Sequence, residues 1–244
     1  MDKISILQDM VDKSSSIVFF GGAGVSTESG IPDYRSVDGL YNQKFRYPPE
    51  IMLSHSFFLS HTEEFFDFYR QKMIKLDAKP NEAHRKLAEL EAAGKLSAVI
   101  TQNIDGLHQL AGSKNVLELH GSVHRNRCEN CGRSYPVEAV SESSGIPVCA
   151  DCGGTIKPKV VLYEESLDND VMYKAIKAIS DADMLIIGGT SLAVYPAAGM
   201  VEYYSGDRLV VINKSETHMD SKADLVINQS IGAVLGAIAV TQAH

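Results

Sequence analysis

A chain of 244 residues with 44% hydrophobic and 22% charged side chains has the balance of a folded globular protein, long enough for one large domain or a main domain with a smaller insert. Its net charge of -8 repels phosphate backbones at long range and argues against nucleic acid as the main ligand, although Arg125, Arg127 and Arg133 form a local basic cluster. No apolar run reaches the ~18 to 20 residues a bilayer requires, and Met1-Asp2-Lys3-Ile4 followed by polar Ser14-Ser15-Ser16 does not read as a secretory signal, so no membrane partner and a cytoplasmic location are expected.

Helix and strand signals alternate along the chain. Ile4, Leu7 and Val11 fall at helical spacing, and Ile17 to Phe20 reads as a short buried strand running into Gly21-Gly22-Ala23-Gly24. Residues 36–80 break this rhythm with the prolines of RYPPE and the aromatics of SFFLSHTEEFFDFYR. Phe65, Phe66, Phe68 and Tyr69 are too dense for one amphipathic stripe and predict a helical module packed on something else. Asn81 is placed to cap a helix bearing Ala83, Leu87 and Leu90, which Gly94 ends before the strand-like SAVITQN of residues 97–103. NVLEL reads as a further strand. Residues 121–158 hold all the cysteines, several glycines and little apolar periodicity, and form a second irregular insertion. Val171, Ala175, Ile176 and Ile179 then predict a helix, followed by the apolar runs MLIIGGTS, RLVVIN and DLVIN. Helices alternating with continuous apolar strands predict an α/β fold whose parallel sheet is covered on both faces.

The four cysteines form two pairs, Cys128-x-x-Cys131 and Cys149-x-x-Cys152, each followed by a glycine. Two residues between ligands let one tight turn aim both thiolates at a tetrahedral ion, and the glycine permits the positive φ such knuckles use. Four sulfurs close the shell, so a structural Zn2+ without a catalytic position is expected.

Glycines after a buried strand suit a dinucleotide, for which the backbone must approach a pyrophosphate at a helix N-terminus. Here Thr27 stands where the common fingerprint has a third glycine. The SGIP segment then imposes an extended path that brings Asp33, Tyr34 and Arg35 back over the loop. Gln102, Asn103, Ile104 and Asp105 follow one predicted strand and His120 another, the strand ends where parallel sheets bind ligands. His120 is thus the candidate general base, with His108 and His124 as weaker rivals. His55, His61, His84, His218 and His244 read as helix surface, loop or tail.

The segments GAGVSTESGIPDYR, TQNIDGLHQLAG, ELHG, the two cysteine pairs, GTSLAVYPAA and VIN occur in the order and spacing of the sirtuins, the NAD-dependent protein-lysine deacylases, and the chain resembles that family from about residue 10 to 235. The resemblance implies a Rossmann-type NAD-binding domain from residues 1–35, 81–120 and 159–244, with a helical module (36–80) and a zinc module (121–158) inserted as a smaller domain. Matched residue by residue, Ala23, Gly24 and Thr27 would lie along the pyrophosphate and ribose of NAD. Arg35 would contact phosphate, Tyr34 would guard the nicotinamide pocket in place of the usual Phe, and Gly22, Asp33 and Gly189 would be further NAD-binding residues. Gln102 and Asn103 match the ribose and catalytic pocket, Ile104 and Asp105 the nicotinamide pair, and Thr190, Ser191 and Asn213 the far ribose and phosphate. Lys214, Ser230 and Ile231 match adenine contacts.

The activity implied is deacylation of acylated lysine in proteins or peptides. NAD is consumed, and nicotinamide and O-acyl-ADP-ribose are released, with His120 and Asn103 catalytic. The peptide would lie extended between Val160, Val161, Leu162 and Tyr163 on one side and Leu192 and Val194 on the other. Two rival functions are a protein mono-ADP-ribosyltransferase at the same site and a zinc-knuckle nucleic-acid module. Glu164 stands where the family pattern has glycine and reads either as favouring basic residues beside the substrate lysine or as a solvated loop carboxylate. Phe66 and Tyr69 take the places of the Tyr-x-x-Arg pair of succinyl-preferring members, with Arg70 one place later, and an apolar acyl channel is expected.

Overall fold

The computed structural model describes residues 2–34, 39–43 and 45–240. Among them nine strands form: β1 (Ile17–Gly21), β2 (Leu96–Thr101), β3 (Val116–Glu118), β4 (Gly121–Cys128), β5 (Ser134–Tyr135), β6 (Ile156–Val160), β7 (Met184–Gly188), β8 (Leu209–Ile212) and β9 (Leu225–Ile227). Six of them make one sheet in the order β3-β2-β1-β7-β8-β9, with every neighbouring pair parallel. The other three make a small antiparallel sheet in the order β5-β4-β6.

The helices are α1 (Lys3–Lys13), α2 (Pro49–Met52), α3 (His55–Ser60), α4 (Thr62–Phe68), α5 (Glu82–Ala92), α6 (Leu107–Ala111), α7 (Glu138–Ser141), α8 (Asn169–Asp181) and α9 (Ile231–Gly236). None is long and apolar enough to cross a membrane.

The central strands are apolar at every position because both faces are covered. Ile17 and Phe19 of β1 join Leu7, Val11, Leu87 and Leu90 from α1 and α5 on one face. Val18 and Phe20 join Ala175 and Ile179 of α8 on the other. The pleat alternates the side chains, and each buried one contributes about 1.5 to 3 kcal/mol of transfer free energy. The expected caps are in place. Asn81 Oδ1 accepts the Ala83 N–H at 2.9 Å, and Gly94 takes φ +73 just past α5.

The two irregular segments share one core. Phe57, Phe65, Phe66 and Tyr69 of the helical stretch pack with Val123, Cys128, Val140, Cys149 and Ile156 of the cysteine stretch. The dense aromatics form short helices whose rings meet edge to face, as Phe58 does with Phe65 (centroids 5.1 Å apart, 78°).

Strand order reverses between β1 and β7. The chain builds outward from β1 through β2 to β3, then returns to β7 on the other side of β1 and continues to β9. The loops leaving β1 and β7 therefore part in opposite directions and leave a crevice at their carboxyl ends.

Candidate active site

A cleft of about 890 Å³ opens at that crevice, within the range of small-molecule and cofactor sites. Gly22, Ala23, Gly24 and Thr27 from the loop after β1 line it, with Gly189, Thr190 and Ser191 after β7 and Asn213 and Lys214 after β8. Gln102, Asn103, Ile104 and His120 also line it, as do Asp33, Tyr34, Ser230 and Ile231. Val160, Val161, Leu162, Tyr163 and Val194 complete the mouth.

Arg35 lies outside the described residues. Two expected residues that are described do not line the cleft. Asp105 sits one layer back, where Oδ2 accepts from Ser26 Oγ at 2.7 Å and Oδ1 caps the Leu107 N–H at 2.9 Å. Leu192 is buried in the core on one face of the sheet and does not line the cleft, whereas Ser191, Val194 and Tyr195 on either side of it do.

The glycine loop differs from expectation in two ways. No α-helix follows it; two single turns of 3-10 helix, Ala23–Val25 and Thr27–Ser29, take that place. Gly24 also serves the protein itself. Its N–H donates to the Gly189 carbonyl at 2.8 Å, and a Cβ added to Gly24 would stand 2.8 Å from the Gly189 Cα. The two loops touch backbone to backbone, which closes the floor of the crevice.

Polar groups at the strand ends are fixed by one another. Thr190 Oγ1 accepts from Gln102 Nε2 at 3.0 Å, and the Thr190 carbonyl accepts from Asn213 Nδ2 at 3.0 Å, so one residue ties together the ends of β2, β7 and β8. Asn103 Nδ2 donates to Ser26 Oγ at 3.0 Å, and the Ser26 hydroxyl in turn donates to Asp105 Oδ2. Ser26, 1% exposed, is a site residue the sequence does not single out: one serine in a polar loop carries no periodic or spacing signal.

His120 Nδ1 lies 2.9 Å from the Gln102 carbonyl. A carbonyl only accepts, so Nδ1 carries the proton and Nε2 presents its lone pair. Burial lowers the ring's pKa below the usual 6.5, and the Gln102 bond opposes this in part. The His120 carbonyl accepts from the Val161 N–H at 2.9 Å, which ties the base to the mouth of the cleft.

The other histidines divide differently from expectation. His84, expected on a surface, loop or tail, and His108, expected as a weaker rival base, are 0% and 1% exposed, with ring centroids 4.7 Å apart, and neither lines the cleft. His55 pairs with Glu165 at 2.8 Å, and His124 Nε2 donates to the Asp105 carbonyl at 3.0 Å. His244 lies outside the described residues.

At the mouth, the N–H groups of residues 161–163 are already committed. The N–H groups of Val161, Leu162 and Tyr163 donate to the His120 carbonyl, to Glu165 and to the Leu53 carbonyl. The Tyr163 carbonyl accepts from the His55 N–H at 3.0 Å, and Tyr163 Oη bonds Tyr41 Oη at 2.6 Å. Glu164 lines the cleft and takes φ 76, and its carboxylate accepts from Ser56 N (2.8 Å) and Ser56 Oγ (2.9 Å), capping the first turn of α3. Arg70 points away, donating to Gly145 O, Ser143 Oγ and Asp67.

The four cysteine sulfurs lie within 4.8 Å of one another, with Cys128 and Cys152 3.4 Å apart and Cys131 and Cys149 3.6 Å apart. Sulfurs around a tetrahedral zinc at ~2.3 Å stand about 3.8 Å apart, so the set fits that ion. The Gly132 N–H returns to the Cys128 carbonyl and the Gly153 N–H to the Cys149 carbonyl, with φ 75 and 71, as two equivalent knuckles. Tyr135 Oη donates to Cys149 Sγ at 3.0 Å as an outer partner. The nearby arginines are engaged: Arg125 with Glu118, Arg127 with the Gly132 carbonyl and Arg133 with Asp151.

Comparison with known proteins agrees with this geometry. The Sir2 family model matches residues 22–196. An NAD-dependent protein deacetylase of Clostridium acetobutylicum is 63% identical over 241 residues, covering 98% of each chain, and one of Clostridium tetani is 58% identical, again covering 98% of each. Among solved structures, a Sir2 homolog–NAD complex superposes with a TM-score of 0.86 at 39% identity, covering 97% of this chain and 91% of the other. A Sir2 bound to acetylated peptide gives 0.85 at 41% identity, covering 96% of each. The chain belongs to the Sir2 family.

Proposed function

We propose that this cleft holds NAD along its glycine-loop wall and admits an acyl-lysine from the mouth, with His120 as general base and Asn103 beside it. The protein is an NAD-dependent protein deacetylase, which passes the acetyl group of lysine to ADP-ribose and releases nicotinamide. The single observation that carries the residue roles is the fixed tautomer of His120, whose Nδ1–H is held by the Gln102 carbonyl at 2.9 Å.

The bound dinucleotide supplies the ribose carbon that becomes electrophilic as nicotinamide leaves, and the hydroxyls from which a proton must be taken. His120 accepts that proton at Nε2. Its lowered pKa keeps the ring neutral near pH 7, so the base is ready without prior deprotonation. Asn103, oriented by Ser26, and Gln102, oriented by Thr190, hold the ribose face at the strand ends. Tyr34 and Ile104 exclude water from the nicotinamide side. The zinc set lies outside the cleft and holds the small antiparallel sheet together, and a closed sulfur shell leaves it no part in the chemistry.

The domain limits 36–80 and 121–158 belong to the same proposal, supported by the one core those stretches share. A cytoplasmic location is supported by four free thiols, which a reducing compartment preserves for metal.

The test is mass spectrometry of an acetyl-lysine peptide with and without NAD. Acetyl loss with stoichiometric O-acetyl-ADP-ribose is expected, only with NAD, and His120→Ala should lower kcat/KM by about 10² to 10⁴. ADP-ribose left on protein without peptide turnover would overturn the deacetylase reading.

A further inference from the structure

The helical stretch contributes to the cleft lining a residue whose polar atom the reaction does not use. Tyr69 is fully buried, stacked on Phe65 at 5.6 Å, and begins the widened π turn Tyr69–Met73. Its Oη has no hydrogen-bond partner among the described residues, yet the residue lines the cleft beside Leu53, Met73 and Ile104. Native proteins rarely leave a buried hydroxyl unpaired, because its desolvation is uncompensated. Burial, and after it the Tyr34 phenol, raises its pKa above the usual 10, so the group remains an O–H donor at physiological pH.

The neighbours fix what that donor suits. Leu53, Met73 and Ile104 offer no polar partner, and Arg70, the nearest cation in sequence, is turned away to Asp67, Ser143 and Gly145. A carboxylate here would be buried against a single neutral donor. A plain alkyl tip would leave the hydroxyl unpaired. A neutral oxygen would satisfy it.

We infer that Tyr69 Oη is a specificity-determining donor for the distal end of the acyl group, favouring short acyl chains that carry a hydroxyl or keto oxygen over alkyl chains of equal length. The inference rests on the deacylase reading of the cleft.

The experiment compares kcat/KM for 3-hydroxybutyryl-lysine and butyryl-lysine in one peptide, at saturating NAD, for the native protein and Tyr69→Phe. A ratio of about tenfold in favour of the hydroxyacyl group is expected in the native protein, falling to about one in the variant. Equal ratios in the two proteins, or a native preference for butyryl, overturn the inference while leaving deacylation standing. Absence of NAD-dependent turnover on these and on acetyl-lysine overturns the deacylase reading itself. Tyr69→Phe should also raise the melting temperature by about 2 °C or more, since an unpaired hydroxyl is removed. A fall of several degrees would mean that Oη already has a partner, and would equally sink the proposal.

Discussion

On the sheet side of the cleft, Gln102, Thr190 and Asn213 stand at strand ends and are fixed by bonds to one another. On the opposite side, Tyr34, Tyr41 and Tyr69 are held by ring packing, Tyr34 against Tyr41 at 5.6 Å and Tyr69 against Phe65 at the same separation. The first wall is an outcome of topology, since a parallel sheet with a reversal between β1 and β7 puts polar loop residues there whatever else the chain does. The second depends on one shared core, that of the helical and cysteine stretches. The sheet wall should therefore tolerate loss of metal, and the aromatic wall should not.

Removing the ion is the largest way to break that contrast. Cys149→Ser, or a strong chelator, removes metal binding worth ~10 kcal/mol or more to the lobe. The expected result is loss of about one zinc per chain, dye binding by exposed aromatic surface and loss of peptide turnover, while far-ultraviolet signal from the sheet persists. Simultaneous loss of both halves would refute the separation.

Acid sharpens the comparison from the sheet side. Burial pushes His84 down to about 4 and His108 to about 3. The unfolded chain protonates both near 6.5, so below that pH it binds more protons than the native state. Stability should therefore fall steadily as pH drops from about 6.5 toward 4, by up to roughly 3 kcal/mol per ring. Urea titrations at several pH values measure this, and His108→Leu should flatten the slope.

Asn81 gives a smaller effect confined to the cofactor loop. Its Nδ2 donates to the Val25 carbonyl at 2.8 Å and to Ser29 Oγ at 3.0 Å while its Oδ1 caps α5, so one side chain joins the helix to both single turns after the glycine loop. Asn81→Ala should cost about 1 to 3 kcal/mol and raise KM for NAD about tenfold, with a lesser change in kcat. An unchanged KM would show that the loop holds its shape without it.

Glu164→Gly should do least. It relieves a left-handed residue at φ 76 but removes the cap on Ser56, two effects of about 1 kcal/mol and opposite sign. A near-neutral change in stability, with no change in preference between basic and neutral peptides, is the expected readout.

The sheet, the two caps of α5 at Asn81 and Gly94, the zinc knuckles and most of the strand-end residues were legible because each is written in local spacing. Continuous apolar runs mean strands covered on both faces, and C-x-x-C-G means a knuckle. What escaped depends on contacts between distant segments. Asp105 sits behind Ser26 rather than in the cleft, Leu192 turns inward, and His84 meets His108 across the gap between two helices. The bond from Glu164 to Ser56 joins residues over a hundred positions apart, and no reading of loop composition distinguishes it from a solvated carboxylate.

The Tyr41–Tyr163 hydroxyl pair has a bearing on selectivity. Both rings line the cleft, so a ligand that hydrogen-bonds to either hydroxyl competes with the bond between them, and its net gain is smaller than the new contact alone would suggest.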